Sequence, residues 1–281
     1  MWRIALALVV LLAACSKDTV GEGTPTIGEI LEDITVVSQV SNVILQADTL
    51  LLSDSISVQG ENPPSLTQYT CDGDGCMKTN QADDPVTEPL VTTLSDLSAD
   101  PRTTFSGRER RRGVGLAQHT ITVTDDSGVE WSFANYGAWL SHSAFDAVIA
   151  TATVNGITWQ AAYNVSFGAA TGTNPKGNAR WIGVMLGNTR HGDVQALRGD
   201  ATIDFDFATD ELDIAFTNIV NLDTDDSQPD IVWPTVTNVV NGAFEFQGNG
   251  HIVGRFYGPD HAEVGGVFTY PTAVGAFGAG K

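Results

Sequence analysis

The chain has 281 residues, of which 14 are Lys or Arg and 34 are Asp or Glu, so its formal charge is −20. This balance excludes nucleic-acid backbone binding as the main activity, because neutralising phosphates needs a basic surface. Apolar residues make up 42% of the sequence, which excludes a chain that is disordered throughout. The 29 glycines, together with abundant Val and Thr and few lysines, favour an all-β protein.

The N-terminus carries one long apolar run, from Ile4 to Ala14, which follows Arg3 and ends at Cys15. The run is too short to cross a hydrocarbon core of about 30 Å as a helix, so it is typical of a signal peptide. An ordinary secretory signal is one interpretation. The second, which we favour, predicts a lipoprotein signal peptide over residues 1–14, because small residues precede the cysteine as in a bacterial lipobox.

Lipidation of Cys15 places the mature protein on a membrane, because several acyl chains give stable anchoring. Ser16 stands where an Asp favours retention at the inner membrane, so we predict the outer membrane, on its periplasmic face or at the cell surface. Residues 15–26 are small and polar and predict a flexible tether.

Residues 27–112 predict a smaller N-terminal annex with irregular structure or short elements. From Glu61 to Gly107, prolines and Asp pairs interrupt every periodic pattern. Cys71 and Cys76 bound a six-residue loop in an exported chain, so we predict a disulfide between them.

A basic cluster ends this annex. It is interpreted either as a docking patch for anionic groups or, as we favour, as a solvated boundary segment or a site that pairs with acidic residues of the next domain. Both interpretations place a domain boundary near residue 113. The cluster consists of Arg108, Arg110, Arg111 and Arg112.

From residue 113 to residue 281 the pattern is that of antiparallel strands. Apolar and polar residues alternate over 201–207 and 212–217, which predicts strands with one buried face. Asn155-Gly156 between two apolar segments predicts a hairpin. Glycine is enriched in the last strands, where sharp bends favour a small closed barrel.

Catalysis is not expected. The sequence has no G-x-S-x-G or H-E-x-x-H motif, and its five histidines are scattered. His142 lies between Ser141 and Ser143, but adjacent residues of a strand point to opposite faces. Haem binding needs an axial His or Tyr, for which the candidates are His119, His142, His191 and Tyr136.

We predict no metal site. The segment that contains Asp223, Asp225 and Asp226 is open to a calcium interpretation, but a solvated acidic exterior is favoured. Between Gly199 and Gly254 there are eleven acidic residues and no Lys or Arg. Such a field attracts basic partners and repels anionic ones.

Aromatic residues supply the candidate ligand-binding positions. Tryptophans at the rim of a barrel are typical of binding surfaces, and we expect Trp233, in the connection between Asn221 and Asn241, to be exposed. The ligand-binding candidates are Trp233, Tyr136, Trp139 and His142.

The C-terminal segment GHIVGRFYGPDHAEVGGVFTYPTAVGAFGAGK resembles the closing strands of the β-barrel domain of transferrin-binding protein B and its relatives. The resemblance extends upstream to YGAWLSHSAF (residues 136–145) and GTNPKGNARWIGVMLG (residues 172–187), and covers roughly residues 116–281. The matching C-terminal positions are Gly254, Phe256, Tyr257, Gly258, Pro259, Ala262, Glu263, Gly265, Gly266 and Phe268, followed by 274–279.

The resemblance implies a surface lipoprotein that acts by binding, with an eight-stranded antiparallel barrel over 113–281 and a handle-like annex. Large members of the family carry two lobes, whereas this chain has room for one, so transferrin is not carried over as the ligand. We therefore predict a lipid-anchored outer-membrane protein that captures iron, haem or a host or environmental protein. Alternatives are a haem or metal carrier with His or Tyr ligands, and a structural or adhesion lipoprotein. The matching motif identifies a scaffold, so it assigns no binding residue.

Overall fold

The computed structural model describes residues 49–57, 65–72, 75–78, 106–124, 128–190, 194–237 and 239–281. These residues form two antiparallel sheets, and their one helical segment is a 3₁₀ turn at Pro259–His261. The all-β prediction is confirmed. In the described part of the chain, no helical segment has the length and hydropathy of a membrane span. The predicted signal peptide, Cys15 and the tether lie outside the described residues.

The first sheet has eight strands in the order β3-β2-β1-β8-β7-β6-β5-β4. Its strands are β1 (Thr49–Ser57), β2 (Ser65–Asp72), β3 (Gly75–Lys78), β4 (Ser106–Arg111), β5 (Val114–Thr124), β6 (Glu130–Trp139), β7 (Ser143–Val154) and β8 (Ile157–Gly168).

The second sheet has nine strands, in the order β12-β11-β10-β9-β17-β16-β15-β14, with β13 paired to β11 off this path. Its strands are β9 (Ala179–Thr189), β10 (Ala196–Asp206), β11 (Glu211–Asn221), β12 (Ser227–Gln228), β13 (Ile231–Val236), β14 (Ala243–Gly248), β15 (Gly250–Tyr257), β16 (Glu263–Thr269) and β17 (Ala273–Gly280).

The N-terminal segments complete the first sheet. Within the range 61–107, for which irregular structure or short elements are predicted, the structure has the short strands β2 and β3. The predicted boundary at residue 113 falls in the turn of the β4–β5 hairpin, and the change of sheet comes later, between β8 and β9. The reason is that β1 pairs along its whole length with β8, a long-range contact that joins the annex to residues 114–168.

The β2–β3 hairpin places Cys71 directly opposite Cys76. The side chains of both cysteines lie outside the described part of the structure, so the bridge stays a prediction.

The second sheet curls around a core of its own. Phe216 on β11 contacts Phe268 on β16 and Phe277 on β17, with ring centroids 5.0 and 5.2 Å apart, although these strands are not neighbours in the sheet. Strands that far apart in the order meet only when the sheet bends strongly on itself. Among the described residues no ladder joins β13 to β14, so closure into the predicted eight-stranded barrel is not confirmed.

The outer face of this curled sheet packs on the first sheet. The shared core includes Leu51, Phe145 and Ala147 from the first sheet, and Val184 and Ala276 from the second. Every residue of β16, and all of β17 except its last, is therefore buried, because both faces of these strands are covered.

Small residues make this double burial possible. At Gly278 an added Cβ would lie 2.5 Å from the Phe145 ring, on the side of the first sheet. At Gly275 an added Cβ would lie 2.6 Å from the Phe268 ring, inside the curled sheet. The two sheets approach this closely because the β17 residues that face the first sheet, such as Ala276 and Gly278, are small.

We expect Gly278→Ala to lower the free energy of unfolding by about 1–3 kcal/mol, because the added methyl group overpacks the junction. The matched control is Gly177→Ala, since a Cβ at Gly177 would meet nothing within 4 Å. Urea unfolding of both variants checks the prediction. Equal stability of the two variants would contradict the close packing described above.

Candidate functional site

Glu263 ties the second sheet to the first. Its buried carboxylate accepts hydrogen bonds from the backbone N–H of Ser141 (2.8 Å) and His142 (3.0 Å) and from the Ser143 hydroxyl (2.7 Å). These charge-assisted bonds compensate the removal of the carboxylate from water. The turn between β6 and β7 is thereby held against the start of β16.

The predicted ligand residue His142 belongs to this junction. Its ring packs on Gly258, where an added Cβ would lie 2.5 Å from the imidazole and where the φ of +72° favours glycine. The contact gives His142 a packing position beside the Glu263 carboxylate and its hydrogen-bond donors, which we call the Glu263 clamp.

A second clamp holds Asp200 of β10. Its carboxylate accepts hydrogen bonds from Arg111 Nε (2.8 Å), Arg112 (2.7 Å) and Asn218 Nδ2 (3.0 Å). The hydrogen bond from Arg112 is the main cause that lowers the pKa of Asp200 to about 2, against the opposing effect of burial. For Arg111 and Arg112, the interpretation as a site that pairs with acidic residues is confirmed.

The other predicted ligand residues do not come together. Tyr136 is half-buried on β6, and its pKa is raised by burial and by the nearby Asp223. Trp139, three residues further on the same strand, points to the opposite face and is buried over Gly115.

Trp233 is 2% exposed, so its predicted exposure is wrong. Its ring packs against Phe216 at 5.5 Å and Phe268 at 5.7 Å in edge-on geometry. The reason is that the connection after Asn221 contains a strand: β13 pairs with β11 and turns its alternate residues inward.

The candidate metal and haem ligands do not converge on one site in the described residues. Those residues hold no cluster of three His, Cys, Asp or Glu side chains suited to a metal ion. Asp223 accepts a hydrogen bond from the backbone N–H of Ala196, and Asp226 accepts one from the Thr224 hydroxyl. His191 lies outside the described residues, and so does the side chain of His119.

An exposed apolar row crosses the outer face of the second sheet. Ile182 on β9 pairs with Thr202, Thr202 with Ala215, and Ala215 with Val232 on β13. Ile182 is 38% exposed and Val232 is 48% exposed. The row lies just beyond the sheet junction, since the next outward residue of β9, Val184, is buried against the first sheet.

An acidic groove runs beside this apolar row. Arg180, Asp204 and Asp213 form the adjacent register row, and the Arg180 guanidinium donates to both Asp204 oxygens at 2.6 and 2.9 Å. The groove is open and has a volume of about 560 Å³, with Asp206 and Glu211 also in its lining. We use "acidic groove" for the space between these five residues.

Phe207 directly follows Asp206 of the groove lining, in the turn between β10 and β11, and is 53% exposed. Its backbone N–H donates to Asn178 Oδ1, which holds the turn in place. Sequence alternation revealed the acidic positions, but the opposition of Arg180 to Asp204 and of Ala215 to Val232 depends on the strand register.

The comparisons with known proteins give fold-level neighbours. No protein-family model and no curated protein matches the chain. Among solved structures, the chain is similar to intact transferrin-binding protein B (Ap-TbpB, N and C lobes), at 14% identity and a TM-score of 0.42, over 82% of this chain and 46% of that one. It thus spans about half the length of that protein.

Two further solved structures are similar. One is a double mutant of the vaccine antigen transferrin-binding protein B from Haemophilus parasuis Hp5, at 16% identity and a TM-score of 0.39, over 82% of this chain and 44% of that one. The other is kievitone hydratase from Nectria haematococca, at 13% identity and a TM-score of 0.22, over 86% of this chain and 91% of that one.

Replacing Glu263 by Ala is expected to lower the free energy of unfolding by about 3 kcal/mol, because the N–H groups of Ser141 and His142 and the buried Ser143 hydroxyl lose their acceptor. The control is Glu245→Ala, which removes the partner of an exposed pair with His251 and is expected to cost less than about 1 kcal/mol. Urea unfolding measures both. Similar losses in the two variants would contradict the clamp.

Asp146 is a buried carboxyl group on the first sheet. Its side chain is 2% exposed. Burial raises the pKa of Asp146 to about 8, although backbone groups of Ala147 and Tyr136 oppose part of the shift. The folded protein therefore holds this proton at pH values where the unfolded chain has released it.

This proton makes stability fall as pH rises from about 4 to about 8, by up to about 1.4 kcal/mol per pH unit. Asp146→Asn carries no ionisable group, so its free energy of unfolding is expected to fall less over that window. Asp210→Asn, at an exposed turn position with φ 55°, is the control and keeps the parental slope. The measurement is unfolding at several pH values. A parental slope in Asp146→Asn would contradict the assignment.

Proposed function

We propose that the chain is a lipid-anchored, non-enzymatic binding protein of the bacterial outer membrane. The anchor is Cys15, supported by the apolar run that precedes it and by Leu12-Ala13-Ala14 in lipobox position. The acyl chains hold the protein at the membrane, and residues 15–26 give the folded part reach above it.

One observation carries the binding role: the inside of the curled sheet is filled, and the exposed apolar groups lie outside. Among the described residues the largest fully buried side chains include the inner-face rings of Trp181, Trp233, Phe216, Phe244, Phe256, Phe268 and Phe277. Ligand capture on the outer surface follows, at the acidic groove and the apolar row, where exposed apolar area is a mark of interaction sites.

The resemblance to transferrin-binding protein B supports a binding scaffold. Its matching positions Gly258 and Glu263 hold the two sheets together, and neither lines the acidic groove. The choice of ligand therefore lies in surfaces that the motif does not include, and we do not transfer transferrin to this chain. We further propose that β13 and β14 adjoin to complete a barrel, and that Cys71 and Cys76 form a disulfide in the exported protein.

The anchor is tested by expressing the parental chain and Cys15→Ser in bacteria fed an alkyne-labelled fatty acid. The parental protein is expected to incorporate label and to fractionate with the outer membrane, because the Cys15 thiol accepts the diacylglyceryl group. Cys15→Ser is expected to lose the label.

Globomycin provides the control, since it blocks the lipoprotein signal peptidase and should leave the parental protein as an unprocessed precursor. Normal processing and release of unlabelled parental protein would contradict anchoring. Protease treatment of intact cells then assigns the protein to the cell surface or to the periplasmic face.

A further inference from the structure

We propose that the acidic groove and the apolar row together bind a basic segment of a partner protein in which cationic and apolar side chains alternate. The inference rests on the proposed binding function and names the chemistry of its ligand. It does not depend on the lipid anchor.

The charge of the acidic groove calls for a cationic ligand. Arg180 is the one basic residue in the lining, and its guanidinium is engaged by both oxygens of Asp204. Asp206, Glu211 and Asp213 remain as uncompensated negative charges in the same lining. The acidic groove therefore presents a net negative field at its surface, which steers basic groups toward it.

The acidic side chains are held in place. Asp213 accepts a hydrogen bond from the backbone N–H of Thr235 at 2.8 Å, and Asp206 accepts one from that of Ala208 at 2.8 Å. Each carboxylate keeps lone pairs that face solvent, so a Lys or Arg of a partner binds to groups that are already ordered. Such preorganisation reduces the entropy lost on association.

Apolar groups lie next to the acidic groove. The apolar row, with Ile182 and Val232, lies along one side, and Phe207 follows Asp206 of the lining in the adjoining turn. A partner therefore needs apolar side chains flanking its charges. Phe207 is the expected anchor, because exposed aromatic residues dominate the energetics of interfaces.

This combination excludes other ligand classes at the same place. Anionic phosphates of lipids or nucleic acids are repelled by the field of the acidic groove. A metal ion alone leaves the exposed Phe207, Ile182 and Val232 uncovered and unexplained. A basic and apolar protein segment satisfies the charge and covers the apolar area together.

The test uses mature chain released from the membrane by Cys15→Ser, titrated with a short synthetic peptide of alternating Lys and Leu. Two further peptides separate the contributions: one of alternating Lys and Ser, and one of alternating Glu and Leu. Only the Lys/Leu peptide is expected to bind saturably. Vesicles of anionic phosphatidylglycerol are the membrane probe and are expected not to bind.

The variant that tests the acidic groove is the triple change Asp206→Asn, Glu211→Gln and Asp213→Asn, which keeps an acceptor oxygen at each position. Its matched control is Asp225→Asn, Asp226→Asn and Asp230→Asn, an equal change of charge at the opposite end of β11. We expect the groove variant to bind the Lys/Leu peptide about tenfold more weakly and the control less than about twofold. Phe207→Ala is expected to weaken binding about tenfold.

Equal losses in the two triple variants would overturn the proposal, because binding would then follow total charge. Unchanged binding in Phe207→Ala, equal binding of the Lys/Ser peptide, or binding of the anionic vesicles would also overturn it. Thermal unfolding of every variant is measured first, so that a loss of binding is scored only in folded protein. Labelling of Cys15 is unaffected by any of these results, which keeps failure of the groove distinct from failure of the anchor.

Discussion

The structure depends on the close approach of two sheets across strands that are rich in glycine and alanine where the sheets meet. One face of β16 and β17 packs into the core of the curled sheet, and the other face packs against the first sheet, so each face must fit a separate core. Gly275 and Gly278 meet aromatic rings on opposite sides of the same strand. Each of these strands buries apolar area on both of its faces, which stabilises the packing of the two sheets. The same double burial leaves no room for added side-chain volume. The polar clamps at Glu263 and Asp200 then fix how the two sheets are placed along each other.

This constraint explains why one segment of the sequence carries the family resemblance. Gly258 accommodates the His142 ring, Glu263 accepts the N–H groups of the β6–β7 turn, and Gly278 accommodates Phe145. These three residues thus each have a partner in the upstream segment 136–145, which belongs to the same resemblance. A motif of this kind specifies how two sheets dock. It places no requirement on the exposed face of β10 and β11, where we propose that the ligand binds.

Local patterns predicted the elements that obey them. Alternation over 201–207 and 212–217 identified β10 and β11, and Asn155-Gly156 identified the turn between β7 and β8. Strands that are buried on both faces lack alternation. The pairing of β1 with β8 joins residues about a hundred positions apart. For these reasons, neither the boundary between the two sheets nor the inward position of Trp233 could be predicted from local sequence patterns. For the acidic groove, the acidic residues were visible in the sequence. Their opposition to Arg180 and the apolar row from Ile182 to Val232 required the strand register.

Asp200 and Asp204 lie on the same face of β10, and their different burial gives them different roles. The Asp200 side chain is 5% exposed and faces two arginines, so its interaction is poorly screened by salt and contributes to the fold. Asp204, four residues further along β10, has a 38% exposed side chain and pairs with Arg180, whose own side chain is 65% exposed. Asp213 lies opposite Asp204 on β11, and the repulsion between the two carboxylates weakens the pairing of β10 with β11. A cation that binds in the acidic groove would reduce this repulsion. Exposed charges more than about 8–10 Å from a ligand are screened at physiological ionic strength, so the field of the acidic groove acts at short range. We therefore expect ionic strength to separate the two roles: added salt should weaken the proposed recognition at the acidic groove and leave the contacts of Asp200 with Arg111 and Arg112 in place.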